Sequence, residues 1–441
     1  MIFAIKSQLN TMLNYLKSLT KYLKLENLWQ LGLLLYLFLL PWQTRWIFSP
    51  EKLNNQIIDY WSMSLYATDI LLLVVILFYF VFKNKKATKL PVDLGSLLII
   101  TLAGLFITLY WASDRSLTFF YFLQFSKGTV LLLLLLKTNF TRAKIIWPLL
   151  LAGTGQAILA ILQFIWQKIP QVTWLGLHER LPEQLGVTVI DNGERILRAY
   201  GAFDSPNVLG GFLALSIILA LPLFFQNKSQ KQKIFLIFLY ILNTAGIFFS
   251  FSRSAALALI AGLATLIIFS LLFKKEKAKI KNLTTILSGI LIILLALTLI
   301  FSNLTFSRLN LENRLEERSV TDRIDQSQQA LKIIKQNWQF GTGLGNYTKE
   351  LSKLTPGLAA YDYQPVHNTY LLMVAELGAF VSFIILIFLI YIFYQNRKNI
   401  FALSLLVSIL VLLAFDHYLW TGAFGIILLW IILALTLKTK S

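Results

Sequence analysis

The sequence of 441 residues predicts an all-α polytopic membrane protein, with about twelve transmembrane helices and two long extracytoplasmic loops, the second partly helical. Three observations predict it. Hydrophobic residues make up 57% of the chain against 14% charged, at a mean hydropathy of +0.68, which is more apolar surface than a soluble core would bury. Apolar runs of about the length that crosses a ~30 Å hydrocarbon layer as helix recur along the chain. Basic residues, finally, concentrate in alternate short loops.

At the N-terminus, Ile2, Phe3, Ile5, Leu9, Leu13, Leu16, Leu19 and Leu23 recur at near-helical spacing among lysines, so residues 1–27 read as a cytoplasmic amphipathic helix on the membrane surface. A cleaved signal peptide needs an uninterrupted apolar stretch followed by small residues, and neither precedes Leu28. Residues 28–441 read as a single transmembrane domain. Its expected spans are Leu28–Phe48, Met63–Phe82, Leu94–Trp111, Leu117–Leu136, Ile145–Trp166, Asn207–Phe225, Ile234–Phe251, Ser254–Phe273, Leu283–Phe301, Thr369–Tyr394, Ile400–Phe415 and Trp420–Leu437.

An inside N-terminus makes alternate loops short and basic. They hold Lys83, Lys85, Lys86 and Lys89, then Lys137, Arg142 and Lys144, then Lys228, Lys231 and Lys233, then Lys274 to Lys281, then Arg397 and Lys398. Over half of the 40 basic residues fall on that side, with Glu26 and Glu276 as its acids. The net charge of +19 is therefore a topology signal, and no nucleic-acid partner is expected. Both termini then face the cytoplasm, and the long loops, residues 167–206 and 302–366, face outward and carry the chemistry. The chain has no cysteine, which excludes disulfides, zinc–thiolate sites and thiol catalysis.

Three outward helix starts are polar: Ser205-Pro206-Asn207, Ser252-Arg253-Ser254 and His367-Asn368-Thr369. Helix N-termini carry partial positive charge and unpaired N–H groups, so three aimed at one space would make an anion site. In the first loop, residues 187–198 read as a small hairpin turning at Asn192-Gly193, which delivers Arg198 next to the helix that Ser205 caps and Pro206 opens. Arg198 then pairs with Asp204, with a lipid phosphate or with a bound anion. Arg253, in a turn between two spans, either snorkels to headgroups or binds phosphate with the hydroxyls beside it.

The second loop predicts an amphipathic helix starting after Ser319, with Asp322 in a capping-box-like position, Val320, Ile324, Leu331, Ile334 and Trp338 on one face and Gly341 at its end. Such a helix would form a lid carrying Arg323, Lys332 and Lys335 on its polar face. The Gly341–Gly345 run is either a plain loop or a place where backbone approaches a phosphate or sugar. His367 follows the longest outer loop, where a positive helix end would keep its ring neutral and able to take a proton. Lys127 and Glu376 lie deep in spans and need partners, which a polar shaft beneath the site would supply.

Read together, these motifs resemble the O-antigen ligase and polymerase superfamily. The likeness runs in order over about residues 195–380, through Arg198-Ala-Tyr-Gly-Ala-Phe-Asp-Ser-Pro-Asn207, Phe251-Ser-Arg253-Ser, Asp322-Arg323, Gly341-Thr-Gly-Leu-Gly345 and His367-Asn368-Thr-Tyr-Leu. The resemblance implies a twelve-helix fold, a polyprenyl-pyrophosphate-linked glycan donor, a glycan, lipid or protein acceptor, and glycosyl transfer without metal or cofactor on the outer face of a bacterial cytoplasmic membrane. It also implies essential arginines and a histidine. The expected scheme makes His367 the catalytic base, with Arg198, Asn207, Arg253, Arg323 and Asn368 binding substrate. No dense carboxylate cluster stands in the outer loops, in keeping with an absent metal. A transporter or flippase of lipid-linked glycans, or a non-catalytic partner in envelope assembly, stays open beside the enzyme. Ligase and polymerase are not separated by these residues, nor are sugar, linkage and oligomeric state.

Overall fold

The computed structural model describes residues 28–82, 91–226, 229–272, 277–310 and 313–438; the expected helix over 1–27, the basic residues at 83–89, 228 and 274–275, and Glu276 lie outside them. The described residues form α1 (Leu28–Phe38), α2 (Ala67–Phe82), α3 (Val92–Ile107), α4 (Arg115–Lys137), α5 (Arg142–Trp166), α6 (Pro206–Ala220), α7 (Gln230–Ser250) and α8 (Arg253–Leu272). After these come α9 (Lys277–Ile300), α10 (Ser302–Leu309), α11 (Arg314–Asn337), α12 (Tyr347–Leu354), α13 (Thr369–Asn396), α14 (Ile400–Phe415), α15 (Tyr418–Thr421) and α16 (Ala423–Leu437). Among the described residues seven helices are long and apolar enough to cross a membrane, or eight if α9 and the α10–α11 stretch count as one bent span. The helices α1, α2, α14 and α16 are apolar but shorter.

The twelve expected spans differ most at the start. The run Leu28–Phe48 is helical only to Phe38; Pro41 cannot donate to a helix ladder, and the chain turns instead into β1 (Arg45–Ser49). Two short strands follow, β2 (Lys52–Leu53) and β3 (Gln56–Ile57), and β1 then pairs antiparallel with β4 (Met63–Tyr66), bringing Trp46 opposite Leu65. Met63–Tyr66, expected as the start of the second span, is therefore strand.

Helix α6 is the hub. It packs against α5, α7, α8 and α14, and nearly every residue along it is buried. Small residues permit that crowding: a side chain at Gly210 would meet Ser250, Ser252 and Ala255. Where α8 meets α14, Ser404 and Ser408 donate to the carbonyls of Gly262 and Ala258 at 2.6 and 2.8 Å, so hydroxyls tie helices together where no water competes.

Helix α13 breaks at Gly378, whose φ of 70° and ψ of 178° suit glycine alone. The break frees the carbonyls of Ala375 and Glu376, and these accept the N–H groups of Thr342 and Gly343 at 3.0 and 2.9 Å. In return Ala379 N–H donates to Trp338 O at 2.8 Å. The Gly341–Gly345 run is thus used in backbone packing against α13. The deep ionisable groups are partnered separately: Glu376 accepts from Trp420 Nε1 at 2.8 Å, while Lys127 pairs with Asp69 and Gln124. No shared shaft joins them among these contacts. A Cβ at position 378 would run into the backbone of Gln339 and Phe340, so Gly378→Ala is expected to cost about 3 kcal/mol or more in strain and displaced backbone. Loss of the monodisperse peak in detergent gel filtration after mild heating checks it.

Candidate functional site

The first loop is anchored before it reaches the site. Two amides on α5 do this: buried Gln163 Oε1 accepts the N–H groups of Tyr200 and Gly201 at 3.0 and 2.9 Å, and half-buried Gln156 Oε1 accepts that of Ala202 at 2.7 Å. The expected hairpin is present as β5 (Val189–Asp191) against β6 (Arg195–Leu197), closed by three residues with only Gly193 at positive φ. From its end Arg198 turns inward, 3% exposed, donating through Nε to Ser250 O at 2.8 Å and through Nη2 to Asn207 Oδ1 at 3.0 Å. Asp204, the alternative partner, faces Arg180 instead at 3.5 Å.

Arg198, Asn207, Arg323 and His367 line one cavity of about 740 Å³, together with Arg308, Arg318, Asp322, Gln326, Asp416 and His417. The start of α6 opens on it, and His367 reaches it from just before the cap of α13. The start of α8 does not: Ser252 Oγ accepts Ala255 N–H at 3.3 Å, and Arg253 stands one layer behind, 3.0 Å from Glu316. Glu316 is 2% exposed and its other oxygen pairs with Arg308, so one buried carboxylate locks two guanidinium groups together. Asn368 caps α13, accepting Leu371 N–H at 3.1 Å, and is not among the lining residues. Nor does any residue of the Gly341–Gly345 run reach the cavity.

Helix α11 forms one wall. It begins earlier than expected, because Asn313 rather than Ser319 caps it, accepting Leu315 N–H at 3.2 Å, and two acids fill its first turn. Arg318, Ser319, Asp322, Arg323 and Gln326 face the cavity, while Val320, Ile324, Leu331 and Trp338 remain exposed on the other side. Among the described residues no carboxylate lies within ion-pair distance of Arg323.

Electrostatics follow from this crowding. Burial, reinforced by Arg308 and Arg253, pushes the Arg198 guanidinium down to about 9. Burial also lowers His367; Arg323 acts in the same direction and Asp416 opposes it, so the ring is neutral for reasons of solvation first. Asp416 is buried, which alone would raise it, yet His367 and His417 hold it below the ordinary carboxylate range. His367 Nδ1 lies 2.9 Å from Gln326 Oε1. An amide oxygen only accepts, so the proton sits on Nδ1 and the Nε2 lone pair is free.

Residues 235–383 match a family described as O-antigen ligase. Over that segment the chain is similar to the O-antigen ligase family. No curated protein matches the chain. The O-antigen ligase segment contains Arg253, Arg308, Glu316, Arg323, Gln326 and His367, whereas Arg198, Asn207, Asp416 and His417 come to the cavity from outside it. Sequence reasoning passed over Arg308, Glu316, Gln326, Asp416 and His417. A signal existed for the last two, since Asp416-His417 is a polar pair set in an otherwise apolar stretch from 400 to 437. Glu316 carried none: one more acid in an amphipathic helix looks like solvated surface until its neighbours are known.

Proposed function

We propose that this chain is a glycosyltransferase of the O-antigen ligase type, moving a glycan from a polyprenyl-pyrophosphate carrier to an acceptor hydroxyl on the outer face of the bacterial cytoplasmic membrane. The observation that carries the reading is that Arg198, Arg308 and Arg323, three of the six arginines that line one cavity, share it with a neutral imidazole. Guanidinium is suited to bidentate phosphate contact, and a departing pyrophosphate needs its negative charge met.

In this scheme the acceptor oxygen attacks the anomeric carbon while His367 Nε2 takes its proton. The bond from carbon to pyrophosphate oxygen breaks, and the carrier leaves with the electron pair under Arg198, Arg308 and Arg323. Arg253 acts through Glu316, fixing Arg308. Asn207 accepts from Arg198 and donates to Asp416 Oδ2 at 3.0 Å, so its amide links the phosphate side to the base side. One displacement inverts the anomeric centre. The role of the polar face of α11 in this reading is to deliver Arg323 and to orient His367 through Gln326.

Purified protein with a polyprenyl-pyrophosphate glycan and acceptor tests the reading directly. Transfer is expected, with unchanged rate in the presence of chelator; loss restored by added metal would overturn the metal-free scheme. Movement of the glycolipid across liposomes with no new glycosidic bond would favour a flippase. Electrophoresis of surface glycans from a deletion strain then identifies the acceptor: one-repeat products mean polymerase, and long chains left on the carrier mean ligase or protein transferase.

A further inference from the structure

We propose that His367, Asp416 and His417 form a zinc-class metal site whose occupation switches transfer off. The inference rests on the reading of His367 as the base. Donor atoms of the three residues lie within 4.8 Å of one another, and among the described residues no other such group of histidine and carboxylate side chains is found. The ligands come from two separate segments, the residue before the Asn368 cap and the Asp416-His417 pair that links α14 to α15.

Each candidate ligand is already oriented by an outer partner, which is the usual construction of a metal site. His367 Nδ1 is 2.9 Å from Gln326 Oε1 and His417 Nδ1 is 2.8 Å from Thr421 Oγ1, which leaves Nε2 of each ring for an ion. The Asp416 carboxylate takes the Asn207 amide at 3.0 Å and the His417 N–H at 2.8 Å. Two imidazoles and a carboxylate make a three-ligand set of the kind zinc accepts with a fourth position open. Nitrogen and oxygen donors without thiolate suit zinc, nickel and copper(II) above magnesium or calcium. With zinc bonds of about 2 Å, tetrahedral donors stand roughly 3.3 Å apart, so the donors draw in by up to about 1.5 Å on binding. The ion then occupies the Nε2 lone pair that would accept the acceptor proton, and metal binding and proton abstraction exclude each other.

Full-length protein in detergent, titrated with Co²⁺ as a coloured stand-in for Zn²⁺, is expected to develop tetrahedral visible bands that Zn²⁺ bleaches. Asp416→Asn and His417→Ala should lose the bands, and Thr421→Val should weaken binding by roughly 10-fold through loss of the outer partner. In the transfer assay zinc is expected to suppress the wild-type rate until chelator is added. His417→Ala should lose sensitivity to zinc, its rate with and without zinc being the same whatever that rate is. Bands that persist unchanged in His417→Ala, or fail to form in folded wild-type protein, would overturn the site. The optical readout needs no substrate: bands that require all three residues in a protein without transfer activity uphold the metal site and discard the glycosyltransferase reading. Stimulation by zinc would discard the inhibitory role and the base together.

Discussion

His367→Ala is expected to lower the rate of glycan transfer by about 10²- to 10⁴-fold, the usual contribution of a positioned general base, while the protein still inserts and still binds donor. The expectation follows from what touches the ring. Gln326 holds Nδ1–H, burial keeps the ring neutral, and the ring lines the cavity shared with the arginines. In the proposed scheme donor affinity resides in the guanidinium groups, so the loss should appear in turnover rather than in donor binding. Wild-type turnover in the alanine variant, measured with equal amounts of folded protein, would remove the base from the scheme. Gln326→Leu gives an intermediate test, because it leaves the ring in place and takes away the acceptor that fixes the tautomer.

Arg323→Ala is expected to cost roughly 10²- to 10³-fold in kcat/KM, the scale of losing one charge-stabilising donor from a preorganised site. Its guanidinium has no carboxylate within ion-pair distance among the described residues, unlike Arg308 and Arg253, which Glu316 locks together. The positive charge of Arg323 is therefore available to a ligand. Removing it leaves no buried partner stranded, so thermal stability should barely change while transfer falls. Arg323→Lys should recover only part of the loss, since an ammonium restores the charge without the planar fork that grips two phosphate oxygens. A variant with normal donor affinity and normal turnover would show that the leaving group sits elsewhere. Glu316→Ala makes the opposite contrast: breaking a buried pair strands two guanidinium groups, and a stability loss of about 3 kcal/mol is expected in thermal unfolding.

Much of this site was legible before folding. Ser205 caps α6 and Pro206 opens it as their residue types require, and the Asn192-Gly193 pair turns a hairpin that brings Arg198 to the helix start. Arg323 and His367 stood out for charge and for position after a long polar loop. The glycine run stayed open between a plain loop and a ligand-binding backbone, because close approach of backbone is the same sequence signal whether the neighbour is a phosphate or, as here, the interrupted helix α13. Arg253 misled in a smaller way: its place in a short turn is visible, but that Glu316 stands between it and the cavity is not.

The sequence by itself determined the class of the protein, a chain of apolar helices with polar loops, because hydropathy and the length of a membrane-spanning helix are local properties. It also determined the caps and turns, whose chemistry is complete within four or five residues. Only the tertiary structure decided that Arg198, from the first loop, lines one cavity with Arg308 and Arg323 from the second, and that Asp416 and His417, some 50 residues beyond His367, stand beside its ring. Contacts between distant segments depend on how helices pack, and that packing is set by small residues such as Gly210 and Gly262, whose partners no local pattern names.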